Sequence, residues 1–421
     1  MNASGTVNSE VSTYKKTVLP NGIRVVTETI PYVRSVSMGI WLNVGSRDET
    51  PETNGIGHFL EHMVFKGTRN RNVREIAQSL ESLGGYLNAF TTKEHTCFYA
   101  RVLDNHIPTA IDVLSDLVLH GTFLPKELER EKLVVIEELK NAEDNPEDII
   151  HDYFEKAIFP SHSLGYPIIG TTANLQRFSG DDLRTHVTSH YHPERMVVAA
   201  AGNLQHDALV EHVARLFKGA RPSKNGRKRD AGPRRGSLHK VLEYQKPITQ
   251  AHVLLGAIAP GLNHKDRYPM LVLNALLGEG MSSRLYQNIR EKYGFAYSVF
   301  SYVNMMSDTG VFGAYIGTDK KNIQRSQELI IKEVVALKTK PVSKKELDRT
   351  KSQIKGTMML GLENMSGRMT RLGTSELYFE SFTSLDAIIS RIDAVTPEAV
   401  QRVATGLFKE EELSTIVIRP S

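Results

Sequence analysis

The 421-residue sequence predicts an α+β protein of two similar domains, each a mostly antiparallel β-sheet flanked by α-helices. Three observations predict it. The length exceeds what one hydrophobic core ordinarily serves and suits two domains of about 200 residues each. Strand-like runs open each half and helical runs follow, an order that gathers helices against an antiparallel sheet rather than alternating them with parallel strands. The halves also share a repeat. Lys126-Glu-Leu-Glu-Arg-Glu-Lys132 returns as Lys345-Glu-Leu-Asp-Arg-Thr-Lys351, aligned position for position without a gap, and each copy starts a long helical stretch.

In the first half, strand-like runs cover Tyr14 to Leu19, Ile23 to Thr29 and Ser35 to Val44, with Pro20-Asn21-Gly22 turning between the first two. Helical patterns follow at 54–67 and 73–83, strands at 85–91 and 95–102, and helices at 105–120 and 125–145. Pro125 suits the first turn of the last helix, and Asn145-Pro146 closes it. Further helices lead to a late strand, Arg195 to Gly202. The second half repeats this order: strands at 239–244 and 249–258, helices at 266–277 and 282–293, strands at 297–304 and 309–317, more helices, and a strand from Leu413 to Ile418. The expected organisation is a first domain over 1–217, a linker over 218–237 and a second domain over 238–421.

Composition narrows the function. At 40% hydrophobic and 24% charged residues the chain is globular, and no apolar run reaches the roughly 18 residues that cross a bilayer. The stretch from Met1 to Lys16 lacks a hydrophobic core and carries no arginine, unlike a secretory signal or a mitochondrial transit peptide. The single cysteine, Cys97, excludes an intramolecular disulfide and fits a reducing compartment: the cytoplasm of a bacterium, or the mitochondrial matrix in a eukaryote. Between Lys218 and Arg235 lie eight Lys/Arg and one Asp, a local +7 that leaves −3 for the rest of a +4 chain. That run is rich in Gly and Pro and has no aromatic residue to stack on bases. It reads as a solvated linker, not a nucleic-acid surface. Neither nucleic acid nor membrane is an expected partner.

The chemistry is concentrated at His58-Phe59-Leu60-Glu61-His62. Two histidines four apart on a helix share one face and can hold one cation. Glu61, beside the second, can act as general base on a water that zinc makes acidic near neutral pH. This is the inverted form of the HExxH peptidase motif. A catalytic zinc needs a third protein ligand. Glu131 and Glu138 lie two helical turns apart and share a helix face. Glu138 is read as the ligand and Glu131 as orienting a ligand imidazole. Glu137 is the rival, and periodicity alone does not separate it from Glu138. The second half has no such set: the counterpart of position 138 is Thr357, and Leu271 to Met281 contains no histidine. His95, His120, His186, His190, His192 and His252 are read as satisfied polar residues, none with a partner at ligand spacing.

With these residues in place, the chain resembles the pitrilysin (inverzincin, M16) zinc metallopeptidases, which include mitochondrial processing peptidase, insulin-degrading enzyme and short bacterial homologues of this length. HFLEH, followed well downstream by the second glutamate of Val-Ile-Glu-Glu-Leu, carries the resemblance, which covers nearly the whole chain. It implies the LuxS/MPP-like metallohydrolase fold, one zinc per chain and Glu138 as third ligand. It further implies that Asn88, Ala89 and Phe90, in the edge strand after Gly84-Gly85, bind extended peptide by main-chain hydrogen bonds. Arg290 and Tyr297 resemble the family's Arg/Tyr pair, suited to donate to a substrate carbonyl and the oxyanion formed from it. Since zinc motif and pair occur in one chain, a homodimer is expected, with the pair acting in its own site or its neighbour's.

The expected activity is endopeptidase cleavage of unfolded or short peptides, in a chamber between facing halves that excludes folded proteins. The rival is a catalytically silent scaffold resembling respiratory-complex core subunits, in which the metal motif is generally degraded. Here His58, Glu61, His62 and Glu138 are all present.

Overall fold

A computed structural model describes residues 13–223, 229–233 and 240–421. The first half runs β1 (Thr13–Val18), β2 (Arg24–Thr29), β3 (Ser35–Leu42), α1 (Ile56–Val64), α2 (Val73–Glu81), β4 (Tyr86–Thr91) and β5 (Thr96–Leu103). It continues through α3 (Ile107–His120), α4 (Pro125–Asp144), α5 (Pro146–Ile158), α6 (Thr172–Arg177), α7 (Gly180–His190), β6 (Met196–Gly202) and α8 (His206–Leu216). The second half runs β7 (Val241–Lys246), β8 (Ala251–Pro260), α9 (Arg267–Gly278), β9 (Ala296–Met305) and β10 (Thr309–Thr318). It ends with α10 (Ile323–Thr339), α11 (Lys344–Gly361), α12 (Met365–Phe379), α13 (Leu385–Asp393), α14 (Pro397–Leu407) and β11 (Ser414–Pro420).

The first sheet has the order β1-β2-β6-β3-β5-β4 and the second β7-β11-β8-β10-β9. Without the extra edge strand β1 the two orders are the same. Each sheet is antiparallel except at one pair, β2 with β6 and β7 with β11, where the last strand returns after a long helical excursion. The repeat has a physical counterpart. α4 starts at Pro125 and α11 at Lys344, each one residue before its copy of the repeated stretch. Buried Lys132 donates to the Gln176 carbonyl at 2.9 Å, and Lys351, its counterpart, to the Asp393 carbonyl at 2.9 Å. One expected helix is irregular: within 282–293, residues Tyr286–Glu291 form a π-helical turn, a form often found at functional sites.

Side chains alternate across a strand, so each sheet has two apolar faces to cover. In the first sheet, Val36, Met38 and Ile40 of β3 and Val198 and Ala200 of β6 face a core shared with α1, α3 and α8. Trp41, Val197, Ala199 and Ala201 face the other way, onto Met369, Leu372 and Leu377 of α12. The second sheet receives α5 in return: Ile150, Phe154 and Ile158 pack on Leu254, Ile416 and Ile418. The halves have therefore exchanged one helix each. Gly373 lets α12 come this close, since a Cβ there would stand 2.3 Å from Trp41 Cε2.

Polar groups join the halves at the hairpin turns. Arg47, after β3, pairs with Glu94 at 2.7 Å and with both carboxylate oxygens of Asp308 at 2.7 and 2.9 Å. Glu94 accepts from the Ser307 N–H at 2.8 Å and its hydroxyl at 2.6 Å. Arg229, within the basic run, pairs with Asp48 at 2.8 Å. The solvated-linker reading fails at this residue, because two buried carboxylates, Asp48 and Glu94, draw it in. Residues 224–228 and 234–239 of that run lie outside the described residues. No described helix is long and apolar enough to cross a membrane.

Candidate metal centre

α1 begins where Gly55 takes a left-handed conformation, φ 95°, pressed against Gly170. A side chain at Gly55 would be strained there and would collide with that backbone. The helix N-terminus is capped from outside. Buried Glu49 accepts the Gly55 and Gly57 N–H groups at 2.8 and 2.9 Å and the Asn54 side-chain amide at 3.1 Å. Negative charge at that end complements the helix dipole and satisfies two otherwise orphaned donors. Burial pushes the Glu49 carboxyl up to about 7, against the pull of these three donors. No sequence motif marked Glu49; an acid this far ahead of the N-cap glycine is outside the usual capping box.

Phe59, Leu60, Met63 and Val64 sink into the first core, which turns His58, Glu61 and His62 towards α4. There Leu128, Val135 and Leu139 bury the facing side and bring Glu131 and Glu138 alongside. The His58 and His62 rings lie 4.8 Å apart. Glu138 offers one oxygen to each: Oε1 is 3.7 Å from His58 Nε2 and Oε2 is 3.4 Å from His62 Nε2. Ligand atoms of these three residues all lie within 4.8 Å of one another, the only such group found among the described residues. Glu137 instead points to Lys140 at 3.4 Å. Of the two glutamates, it is Glu138 whose oxygens approach both imidazoles.

The donor set fits zinc. Burial, then neighbouring His62, lowers His58 to about 4, so at neutral pH it is an uncharged imidazole and no ion pair links it to Glu138. Spacings of 3.4 and 3.7 Å are long for hydrogen bonds. They match the ~3.4 Å separating atoms that share one tetrahedral ion at about 2.1 Å. His62 Nδ1 is 3.0 Å from Glu131 Oε1, and Lys66 Nζ is 2.7 Å from Glu131 Oε2. Glu131 is buried and held below the usual carboxylate range: its desolvation is outweighed by the His62 and Lys66 contacts. It leaves His62 Nε2 to face Glu138. For His62, too, burial opposes its carboxylate neighbours, which win and raise its pKa. His58 has no such support, for its Nδ1 is buried without a hydrogen-bond partner.

Glu61 lies on the same face. Burial raises its carboxyl above the ordinary range, against Thr91 and His62, which lower it. Thr91 ends β4, so the glutamate and the strand are neighbours. β4 is the last strand of its sheet and pairs only with β5. Asn88 is exposed, Ala89 buried and Phe90 half-buried. The Ala89 N–H is held by Asn88 Oδ1 at 2.8 Å rather than by β5, which leaves it a donor on the open edge.

Arg290 and Tyr297 belong to the second half. Arg290 sits in the π-helical turn, bonded to Tyr286 Oη at 2.7 Å. Tyr297 is 78% exposed at the start of β9, the edge strand of the second sheet. Among the described residues, no hydrogen bond or ion pair ties either one to His58, His62 or Glu138. Nor does the space between the halves contain the zinc residues: α1 lies on the face of the first sheet opposite α12. Helices exchanged between the halves cover the sheet faces opposite the zinc residues. The reading that no other histidine pair has ligand spacing also needs correction. His186 and His190 stand four apart on α7 with rings 4.5 Å apart, both buried. Other histidines have hydroxyl partners, His95 with Tyr378 at 3.0 Å and His252 with Tyr315 at 2.7 Å.

The chain belongs to peptidase family M16, the insulinase family: residues 24–172 match "Insulinase (Peptidase family M16)" and residues 177–354 match "Peptidase M16 inactive domain". Among its relatives is an uncharacterized zinc protease of Bacillus subtilis, YmxG, 44% identical over 97% of this chain and 98% of its own length. Another, from Streptomyces coelicolor, is 40% identical over 96% of this chain and 90% of its own. Two solved structures share the fold. A protease from Helicobacter pylori superposes with a TM-score of 0.92 at 23% identity, over 97% of this chain and 100% of that one. An M16 inactive domain protein from Pseudomonas fluorescens gives 0.89 at 18%, over 97% and 98%.

Proposed function

We propose that this protein is a zinc-dependent endopeptidase acting on unfolded or short peptides, with one zinc per chain. The convergence of His58 Nε2, His62 Nε2 and the Glu138 carboxylate, with Glu131 behind His62, carries the reading. Bound there, zinc supplies Lewis acidity, making a water acidic near neutral pH and polarising a carbonyl. Glu61 takes the proton of the attacking water on its carboxylate and passes it to the leaving amine. Glu131 holds the His62 tautomer that offers Nε2. Substrate adds to the open edge of β4, its carbonyl replacing Asn88 Oδ1 at the Ala89 N–H. Because this recognition reads backbone, it favours extended chains over folded ones.

With the metal residues in the first half and Arg290 and Tyr297 in the second, we infer a homodimer in which each copy presents the pair to the other's site. There they donate to the developing oxyanion.

The test is Glu61→Gln, which should retain stoichiometric zinc and lose cleavage of unstructured peptides, followed by mass spectrometry beside a chelator control. Cleavage at the parent rate would remove Glu61 from the mechanism. A folded parent protein without zinc or cleavage would favour the scaffold reading.

A further inference from the structure

Between the halves, on the α12 side of the first sheet, lies a cavity of about 870 Å³. None of His58, Glu61, His62 or Glu138 lines it. Asp152 of α5 does, and so does Arg267 at the start of α9, one residue from each half. Neither side chain makes an ion pair among the described residues, although Lys93 lies near Asp152. Asp152 makes no hydrogen bond or ion pair among the described residues. Burial pushes its carboxyl up to about 6, despite Lys93 nearby. The Lys93 ammonium is already engaged by Glu155 at 2.8 Å and the Tyr166 carbonyl at 2.6 Å.

The Arg267 guanidinium has only rings beside it, Phe379 at 4.8 Å and Tyr268 at 5.5 Å. The adjacent Asp266 is taken by Arg402 at 2.5 Å. Burial draws Arg267 below the ordinary arginine value, and Arg391 adds to this. Partly buried charges without an ion-pair partner cost some free energy that a folded chain normally avoids by pairing them. Here two of opposite sign line one cavity, with Lys93, Glu94, Glu155 and Arg371 and with Leu271, Met306 and Met358. An apolar, thioether-rich wall with a few convergent polar groups is the usual make-up of a small-molecule site, and the volume lies in that range.

We propose that this cavity is a second binding site, separate from the metal centre, for an apolar zwitterion of dipeptide size. Its ammonium pairs with Asp152 and its carboxylate with Arg267. Since the two residues come from different halves, the bound ligand clamps the halves together. The inference stands on the cavity and its unpartnered charges, independently of the peptidase reading.

The experiment is calorimetric titration of the full chain with leucyl-leucine, N-acetyl-leucyl-leucine and leucyl-leucinamide, each with and without EDTA. Leucyl-leucine should bind one per chain with or without EDTA. Each blocked form should bind at least about tenfold more weakly, the loss of one charge-assisted contact. Asp152→Asn should weaken leucyl-leucine similarly and leave N-acetyl-leucyl-leucine unchanged. Arg267→Gln should do the same with respect to leucyl-leucinamide. The blocked ligands probe the same contacts in the parent protein, so a variant that fails to fold does not prevent the test. Binding abolished by EDTA would assign the ligand to the metal centre and overturn the proposal. Absence of binding at millimolar dipeptide, or equal binding of free and blocked forms, would also overturn it. Loss with leucyl-leucinamide alone would mark a plain anion site and refute the role of Asp152.

Discussion

Glu131 makes no contact with the metal position, yet Glu131→Ala is expected to weaken zinc binding. Its carboxylate bonds His62 Nδ1 at 3.0 Å and Lys66 Nζ at 2.7 Å, and its side chain is only 6% exposed. Alanine removes the charge-assisted hydrogen bond that holds the His62 ring and its tautomer. Such a bond contributes about 1.5–3 kcal/mol. At about 1.36 kcal/mol per tenfold, zinc affinity should fall roughly 10- to 150-fold. Lys66 adds little to this, because at 29% exposure its ammonium can turn to water rather than remain buried alone. Glu131→Gln should fall between parent and alanine. One amide oxygen can accept from His62 or from Lys66, not fully from both. The assay is competition for zinc with a chromophoric chelator, on protein shown by circular dichroism to be folded. Should folded Glu131→Ala hold zinc within about twofold of the parent, the orienting role would be refuted.

Glu138→Gln should lower zinc affinity far more than Glu137→Gln, since Glu138 approaches both imidazoles and Glu137 faces Lys140; the same competition assay would show a reversed order if the assignment were wrong. Gly373→Ala should lower the apparent Tm. The roughly 1 kcal/mol that alanine gains in a helix is offset by about 1–3 kcal/mol of overpacking against Trp41; a raised Tm in differential scanning fluorimetry would refute the close packing. Glu49 should make stability pH-dependent. Its carboxyl is raised from 4.5 to about 7 in the fold. Its contribution is therefore complete below 4.5 and is lost as pH rises through 7, by about 3 kcal/mol in all. The urea midpoint of the parent relative to Glu49→Gln, which does not titrate there, should fall between pH 4.5 and 7.5; a pH-independent difference would count against it.

The parts legible in the sequence were those written in local spacing. Strand and helix periodicity placed the elements to within a few residues, and the internal repeat anticipated the matched sheet orders. His58 and His62 were legible as a pair because four residues on a helix is a fixed geometry. Glu49 was not, because it caps α1 from a loop and its partners are backbone N–H groups, which no residue pattern records. His186 and His190 have the same spacing as His58 and His62, but no carboxylate completes a ligand group with them among the described residues.

By itself, the sequence determined that there are two similar α+β halves and that only the first carries a metal motif. Those features depend on side-chain periodicity and on residue identity, both of which survive without knowledge of long-range contacts. The tertiary structure alone decided that Glu138 rather than Glu137 meets the imidazoles, that α5 and α12 are exchanged between the sheets, and that Asp152 and Arg267 share a cavity. Each of these depends on how one helix is rotated and seated against an element far away in the chain. That rotation is set by packing two faces of a sheet at once, which adjacent residues do not encode.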